Sequence, residues 1–585
     1  MALPDFPATP TVGQLFTANS ITWRCRAVNP VYWEPLAFNT QNYFVSPEMF
    51  GAVGNGSTDD TQALAAAFAA ANKVIVLRPG ATYLVTGRLN LANKQDLELL
   101  GNGARILRNQ TDGMYPGQAT NPNTGYVNPG VDQHILVLLS CKNVKVTGLR
   151  IRGGYNPASP QTPGINTTYW SNSQTNGRGE DGHGISIVQS EDILVENCEI
   201  VNVWGDAFWV TSGGYLGTGA IANKNITIRS NDIRNPFRGC VSSVHHTGLR
   251  FTDNYCEKFT GYTTAVLLEP NNNVAQNCIS TFITGNTISC GPSGVVAATS
   301  AGALLNGDFI RDLVIASNVV SGAVFVSLTS PNTTGVVIDG NSYYNSGLVA
   351  NSAQFGLFLE ANSARDVKAV SNLDYSGGTS DAYYRGVRLD SCSNVSFEKH
   401  TIRPQDAKTN VEYFQVISTN FFRLLDSLIN GRDTVDPSGT PIVSMYGSSS
   451  FCRVEGNYFN GTGTTQGVVY LEQASYTGTG NIVQNNVITS AAGNNAIALK
   501  TNHFGTAVGY NNYTSGRVSN VSGGTAQCYQ HPSTNFAAQT HVYGTAAPTT
   551  GTWALGSRVI NTGTGPTDYW ECTTAGSPGT WTVRN

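Results

Sequence analysis

Charge is what this sequence has least of. Asp, Glu, Lys and Arg make up 12% of the 585 residues, about half of the ~25% usual in soluble domains, so the polar surface is left to Gly, Asn, Ser and Thr. The formal net charge is −4 and no block of Lys or Arg interrupts the chain, which excludes a broad electrostatic footprint for DNA, RNA or an anionic bilayer. Long apolar runs are missing too, with nothing near the ~20 residues of a membrane-spanning helix. The opening Met1-Ala2-Leu3-Pro4-Asp5-Phe6-Pro7 has neither the basic stretch nor the apolar run of a secretion signal, so folding in a cytoplasm is expected. Paired cysteine signals are absent as well. Eleven Cys, an odd number, are scattered from Cys25 to Cys572 without a CxxC pair or a Cys/His cluster at metal spacing. They read as buried thiols, several of them inside repeated strands where Cys packs as a small apolar residue. No metal and no cofactor is implied.

What is present is a repeat. A short alternating apolar strand runs into Asn or Gly in Ile193-Leu194-Val195-Glu196-Asn197, Ile226-Thr227-Ile228-Arg229-Ser230-Asn231, Leu249-Arg250-Phe251-Thr252-Asp253-Asn254 and Phe282-Ile283-Thr284-Gly285-Asn286. The unit returns before Asn318, Asn341, Asn372, Asn457 and Asn486, and an earlier copy ends in Gly148. Most neighbouring copies are spaced within the ~20–45 residues of a solenoid unit. Asn and Gly both tolerate the left-handed backbone of a sharp corner, so each copy reads as one coil of a parallel β-solenoid. A propeller would need four strands per repeat and its aromatic-acid signature, and leucine-rich repeats their fixed Leu pattern; neither is found.

Upstream stands Phe50-Gly51-Ala52-Val53-Gly54-Asn55-Gly56-Ser57-Thr58-Asp59-Asp60-Thr61-Gln62-Ala63-Leu64, then an Ala/Phe-rich stretch to Asn72 and Val74-Ile75-Val76-Leu77-Arg78-Pro79-Gly80. The order is turn, helix, strand, turn. Asp59 is expected as N-cap with Gln62 completing a capping box, and Asp60 as negative charge in the first turn, so both carboxylates read as structural. The helix would cover the open end of the solenoid. This motif resembles the N-terminal signature of the pectate-lyase-like superfamily found in phage tailspikes, capsule depolymerases and some glycosidases. The resemblance implies an all-β right-handed parallel β-helix, a homotrimer, acting on a bacterial surface polysaccharide at the virion tail. The expected layout is an adaptor over 1–45, by resemblance joining the phage tail or baseplate; a capped β-helix over 46–500; a linker or terminal coil over 501–539; and a small β-rich module over 540–585 for trimerisation or glycan binding.

Stacked coils bring distant residues onto one face. Taking Gly184–Val188, Ala207–Thr211, Gly239–Ser243 and Ala265–Glu269 as equivalent strands turns Ile185, Phe208, Cys240 and Val266 inward. Ser186, Trp209, Val241 and Leu267 then face outward, and His183, Asp206, Arg238 and Thr264 line the preceding corner, with Thr211, Ser243 and Glu269 ending the outward row. Glycoside hydrolysis needs one carboxyl to protonate the leaving oxygen and another to activate water or attack carbon. Asp206 and Glu269 are the candidate pair, with Asp181 as alternative partner. His183, an exposed Trp209 indole, Arg238, His245 and, from the Gly153–Glu180 loop, Trp170 are candidate sugar contacts. For each residue alone, the plainer reading is a polar rung or a loop anchor. Glu360, Asp390 and Glu472 form a weaker second set. A lyase using His183 and Arg238 and a non-catalytic receptor-binding spike stay open.

Overall fold

The computed structural model describes residues 7–18, 21–28, 31–38, 44–108, 119–120, 127–128, 134–154, 182–212, 221–258, 264–270, 276–290, 295–299, 309–330, 332–345, 357–375, 384–403, 411–430, 441–460, 468–472, 480–489, 495–499, 507–508, 511–515, 517–520, 529–530, 541–544, 546–549, 553, 555–561, 567–576 and 579–584. Among these residues, three long parallel sheets carry the fold. The first holds sixteen strands from Asn55–Asp59 to Asn512–Ser515, and the second fifteen from Leu89–Ala92 to Arg517–Asn520. The third runs from Phe44–Val45 to Tyr529–Gln530. One coil is Leu136–Leu139 in the second sheet, Lys142–Thr147 in the third and Arg150–Arg152 in the first. The next, Ile185–Val188, Glu191–Glu196 and Glu199–Val201, pairs with it strand for strand. This is the parallel β-solenoid read from the repeats, in the right-handed β-helix form that the resemblance implies. Its interior is the inward half of each alternating strand: Val144 with Val146, Ile193 with Val195, Ile226 with Ile228 and Leu249 with Phe251, all essentially buried.

The corner between the third and first sheets is tight in coil after coil, whereas the return from the first sheet to the second carries the longest connections, residues 153–184 among them, and the passage from the second to the third carries others, such as 212–222. At the corner between third and first sheets, Gly148, Asn197, Ser230, Asp253 and Gly285 all have φ between 54° and 68°. The repeated Asn was expected to supply this left-handed residue. Only Asn197 does so. From Asn231 onward the repeated Asn stands one position later, buried, while Ser, Asp, Gly or, before Asn486, a second Asn takes the corner, because short polar side chains tolerate that backbone without needing the interior.

The Asn residues form a ladder instead. Asn231, Asn254, Asn286, Asn318, Asn341 and Asn372 are linked so that each Oδ1 accepts both the backbone N–H and the side-chain amide of the Asn one coil earlier, at 2.9–3.0 Å. Each Nδ2 also donates to a strand carbonyl, that of Asn318 to Ile283 at 2.8 Å. The ladder gives way to His400 and Ser427 and resumes at Asn457, Asn486 and Asn511. His400 is wholly buried, edge-on to Phe358 with ring centroids 4.7 Å apart.

The cap helix spans Thr61–Ala70 and turns Leu64, Ala67 and Phe68 into the core. It begins one residue later than a cap at Asp59 requires. Asp59 still accepts the Thr61 N–H, and the Thr86 hydroxyl as well. Burial works to raise its pKa, but these bonds from Thr61 and Thr86 hold the carboxyl below its ordinary value. Asp60 occupies the cap position yet makes no capping bond; its buried carboxylate accepts the N–H groups of Val53 (2.7 Å) and Gly54 (3.0 Å) and clamps the preceding turn. Outside the solenoid, Leu15–Ala18, Ile21–Val28 and Val31–Phe38 form an antiparallel sheet, and His541–Gly544, Arg558–Asn561, Tyr569–Thr574 and Thr580–Arg584 a four-stranded one. The ten described cysteines are buried thiols. No helix among the described residues is long and apolar enough to cross a membrane.

Two outcomes are expected. Asn318→Leu takes the acceptor from the Asn286 N–H, one of two acceptors from the Asn286 side-chain amide and a donor from the Ile283 carbonyl, and urea unfolding should show a loss of about 2–4 kcal/mol. Burial holds His134, His246 and His400 down at about 3, against about 6.5 in an unfolded chain. The unfolded state therefore binds more protons between these values, so stability is complete above about pH 6.5 and is lost as pH falls, by at most ~1.4 kcal/mol per unit per histidine. His400→Phe should flatten that slope by about a third when unfolding is followed from pH 7 to 5.

Candidate active site on the second sheet

The second-sheet strands begin where the long connections end, and their first residues make a corner column. Pairing of Leu136 with Ile185, Ile185 with Phe208 and Phe208 with Val241 stacks His134, His183, Asp206 and Gly239, each two residues before a strand position. Here the expected alignment is corrected by one residue: Val241, not Cys240, pairs with Phe208 and Val266. The outward row is thus Ser186, Trp209, Ser242 and Leu267, while Ser243 lies with Val210 and Leu268. Alternation could not reveal the slip, because Cys240 and Val241 are both apolar and both buried. Arg238 falls one place before the column, its N–H bonded to the Gly205 carbonyl at 3.3 Å.

Four groups converge at this corner. The Asp206 carboxylate is 3% exposed and lies 4.0 Å from one terminal nitrogen of Arg238, whose other terminal nitrogen is 3.9 Å from Glu269. Glu269, one coil beyond Arg238, is 34% exposed and is the part open to solvent. The Asp206 carboxylate has room only because Gly239 lacks a side chain: a Cβ there would stand 2.8 Å from Asp206 Oδ1 and 3.0 Å from the Thr264 carbonyl. His183 is buried, and its Nδ1 accepts the Asp206 backbone N–H at 2.9 Å. That nitrogen therefore carries no proton, and its 3.4 Å approach to Asp206 Oδ2 is a neutral contact rather than an ion pair.

Trp209 is not the exposed platform expected. It is 8% exposed, stacked on His183 at 4.7 Å and His134 at 5.3 Å between centroids. The outward row leans over the corner column, so the indole covers imidazoles instead of solvent. His134 bonds through Nδ1 to the Ser186 hydroxyl at 3.0 Å. Burial first, then the charges of Arg88 and Arg108, lower its pKa to about 3, so the ring is neutral near pH 7. His134 was missed in the sequence, although it precedes Leu136 by the same two residues that separate His183 from Ile185. His245 is turned into a corner, where its Nδ1 accepts the Asn277 N–H at 2.9 Å; His246 bonds Ser243 and Thr281 in the interior. Asp181 and Trp170 lie outside the described residues. Of the second set, Glu360 is 3.5 Å from Arg388, Asp390 accepts the Ser391 hydroxyl, and the Glu472 side chain is outside the description.

A fold of this kind has known counterparts. Residues 44–261 match the family model described as rhamnogalacturonase A/epimerase, pectate lyase-like, and the resemblance carried by the Phe50–Leu64 motif is borne out over that segment. The chain is similar to a tailspike protein double mutant of E. coli bacteriophage HK620 solved with a pentasaccharide, at 12% identity over 80% of this chain and 84% of that one, TM-score 0.44. It is similar also to tailspike protein 3 of bacteriophage CBA120, at 13% identity over 98% and 73%, TM-score 0.34. The catalytic unit of a GH87 α-1,3-glucanase from Streptomyces thermodiastaticus strain HF3-3 matches at 15% identity over 84% and 68%, TM-score 0.36. No curated protein sequence matches this chain. None of these similarities assigns a substrate.

Gly239→Ala tests the packing of the corner. Its methyl should push on a buried carboxylate and a backbone carbonyl, and unfolding is expected to show a loss of about 1–3 kcal/mol. Combined with Asp206→Ala, the loss should shrink by about 0.5 kcal/mol or more in a double-mutant cycle.

Proposed function

We propose that this chain is a phage tailspike that binds a capsular polysaccharide or lipopolysaccharide O-antigen and cuts it internally by hydrolysis, with Asp206 and Glu269 as the working carboxylates. The observation that carries the reading is the Asp206–Arg238–Glu269 bridge. It joins one shielded and one solvent-reaching carboxylate on coils two steps apart, roughly 9–10 Å between backbones. A separation of that order leaves room for a water between the carboxyl groups, as inverting glycosidases require; Asp181 with Asp206 is the closer pair that a retaining route would need. One buried and one open carboxylate also suits division into acid and base, because each role calls for its own environment.

The same geometry supports hydrolysis over elimination. A lyase needs a cation to neutralise a uronate and a base to take its proton. Arg238 is engaged by two carboxylates, and the Nδ1 of His183 is taken by a backbone N–H. By resemblance the working form is a homotrimer held to the phage tail through the N-terminal segment, with the C-terminal sheet closing the trimer or binding glycan.

Purified capsular and O-antigen polysaccharides from a strain panel provide the test. Size separation should show short oligosaccharides from one of them, without the absorbance of an unsaturated uronate. Asp206→Asn and Glu269→Gln should each lower turnover at least 10²-fold while retaining the polysaccharide. Near-normal cleavage by both variants moves the reacting centre elsewhere, and retention without any cleavage by the unaltered protein makes it a binding spike.

A further inference from the structure

The corner column and outward row do not end at the central patch. Continuing the register past Thr264, the column passes Val295, Val324 and Leu357 and reaches Arg385 and Glu412. The outward row passes Ala298 and Ser327 and reaches Glu360, Arg388, Gln415, Ser444 and Tyr470. Apolar or small residues thus fill the interval, and polar chemistry reappears in both rows together.

The second cluster is built like the first. Glu412 stands in the column that holds Asp206, and like it is almost wholly buried, at 1% against 2% exposed. The Ser444 hydroxyl, in the outward row one coil on, donates to Glu412 Oε1, the relation that Ser186 has to His134. Gln415 Nε2 donates to Oε2 at 3.1 Å and the Tyr446 hydroxyl reaches Oε1 at 3.4 Å. Tyr446 lies edge-on to Tyr470, centroids 6.3 Å apart. Beside this stand the half-exposed Arg388 and Glu360, 3.5 Å apart.

Holding one coil on the next does not call for a carboxylate here. Charged rungs elsewhere keep at least one partner well in water, as Lys142 with Glu191 at 54% and 40% exposure or Arg229 with Glu196 at 49% and 11%. Donors from three side chains, Ser444, Gln415 and Tyr446, hold the Glu412 carboxyl in one place on this face. Fixed acceptors, an amide, a guanidinium and aromatic edges on a rigid sheet are the groups that orient a sugar's hydroxyls and its apolar face.

We infer that Glu412, Gln415, Arg388 and Glu360, with Tyr446 and Tyr470, form a second saccharide subsite, on the face that carries Asp206 and Glu269. It rests on the reading of this chain as a polysaccharide-binding protein and adds to it the length of polymer engaged. Glu412 lies seven coils from Asp206, roughly 34 Å along the solenoid at ~4.8 Å per coil. One polymer chain can occupy both places, whereas a short fragment occupies one. Two tethered contacts then raise affinity for polymer far above that for fragments, by up to ~10²–10⁴-fold.

The test uses the full-length protein and the purified panel polysaccharide it retains, alongside one- and two-repeat fragments of the same polysaccharide, with dissociation constants read by surface plasmon resonance. Arg388→Ala and Gln415→Ala, at partly exposed positions, and Glu412→Gln should each lower the polymer-to-fragment affinity ratio at least 10-fold. Asp206→Asn should leave the ratio high. An unchanged ratio in Arg388→Ala and Gln415→Ala overturns the subsite while leaving the polysaccharide reading intact. Complete loss of cleavage at saturating polymer in these variants overturns it differently, by making the cluster the reacting centre. Retention of no panel polysaccharide by the unaltered protein removes the functional reading itself, and the subsite with it.

Discussion

A chain that turns a tight corner against its own interior strips water from amide groups that no strand can pair, and the rest of this structure depends on how they are satisfied. The buried asparagines do it. Each Oδ1 takes two donors from the coil before, and each amide reaches a carbonyl on the third-sheet strand one coil earlier. One such bond is worth about 1 kcal/mol net, but an orphaned partner costs about 1–3 kcal/mol, so the ladder matters more for what it prevents than for what it adds. It also locks axial register. The sheets on either side can then stack residues far apart in sequence to within a side chain of one another.

How much of this could be read in advance differs by level. The solenoid was legible because alternation, a corner residue and a repeat all agree. The role of the asparagines was not, since a period says where a residue recurs and not which way it points; one place along the chain separates the exposed corner of Asn197 from the buried rung of Asn231. The same limit applied at the site. Asp206, His183, Arg238 and Glu269 were drawn together by spacing alone, and the structure gathers them. Cys240 and Val241 could not be told apart by hydrophobicity, so the third coil was misaligned by one. Trp209 was assigned to solvent because the strand face points there, whereas ring stacking with His183 and His134 folds it back. Glu412 went unnoticed among apolar neighbours, its partners lying one coil away.

The central corner shows how little local sequence such a site requires. One glycine without a side chain makes space for one carboxylate, and a guanidinium displaced by one place from its column reaches two coils at once. A strand-end position repeated along a rigid stack becomes a row of potential functional groups. Most places on that row stay apolar, as Val295, Val324 and Leu357 do. Chemistry enters only where polar residues recur in the column and in the outward row together.

The longest connections return from the first sheet to the second, beside that row, and others pass from the second to the third, while the corner between the third and first sheets remains tight. Loop-closure entropy grows only logarithmically, so doubling such a connection costs about 0.6 kcal/mol, less than leaving one buried amide unpaired. Insertions at these two looser corners are therefore nearly neutral for folding, and insertions at the asparagine corner are not. A lineage can lengthen, shorten or exchange segments at either end of the second-sheet strands while the hydrogen-bonded spine stays untouched. The fold in effect separates what must be conserved from what is free to diverge, and sets the boundary between them at the ends of one sheet.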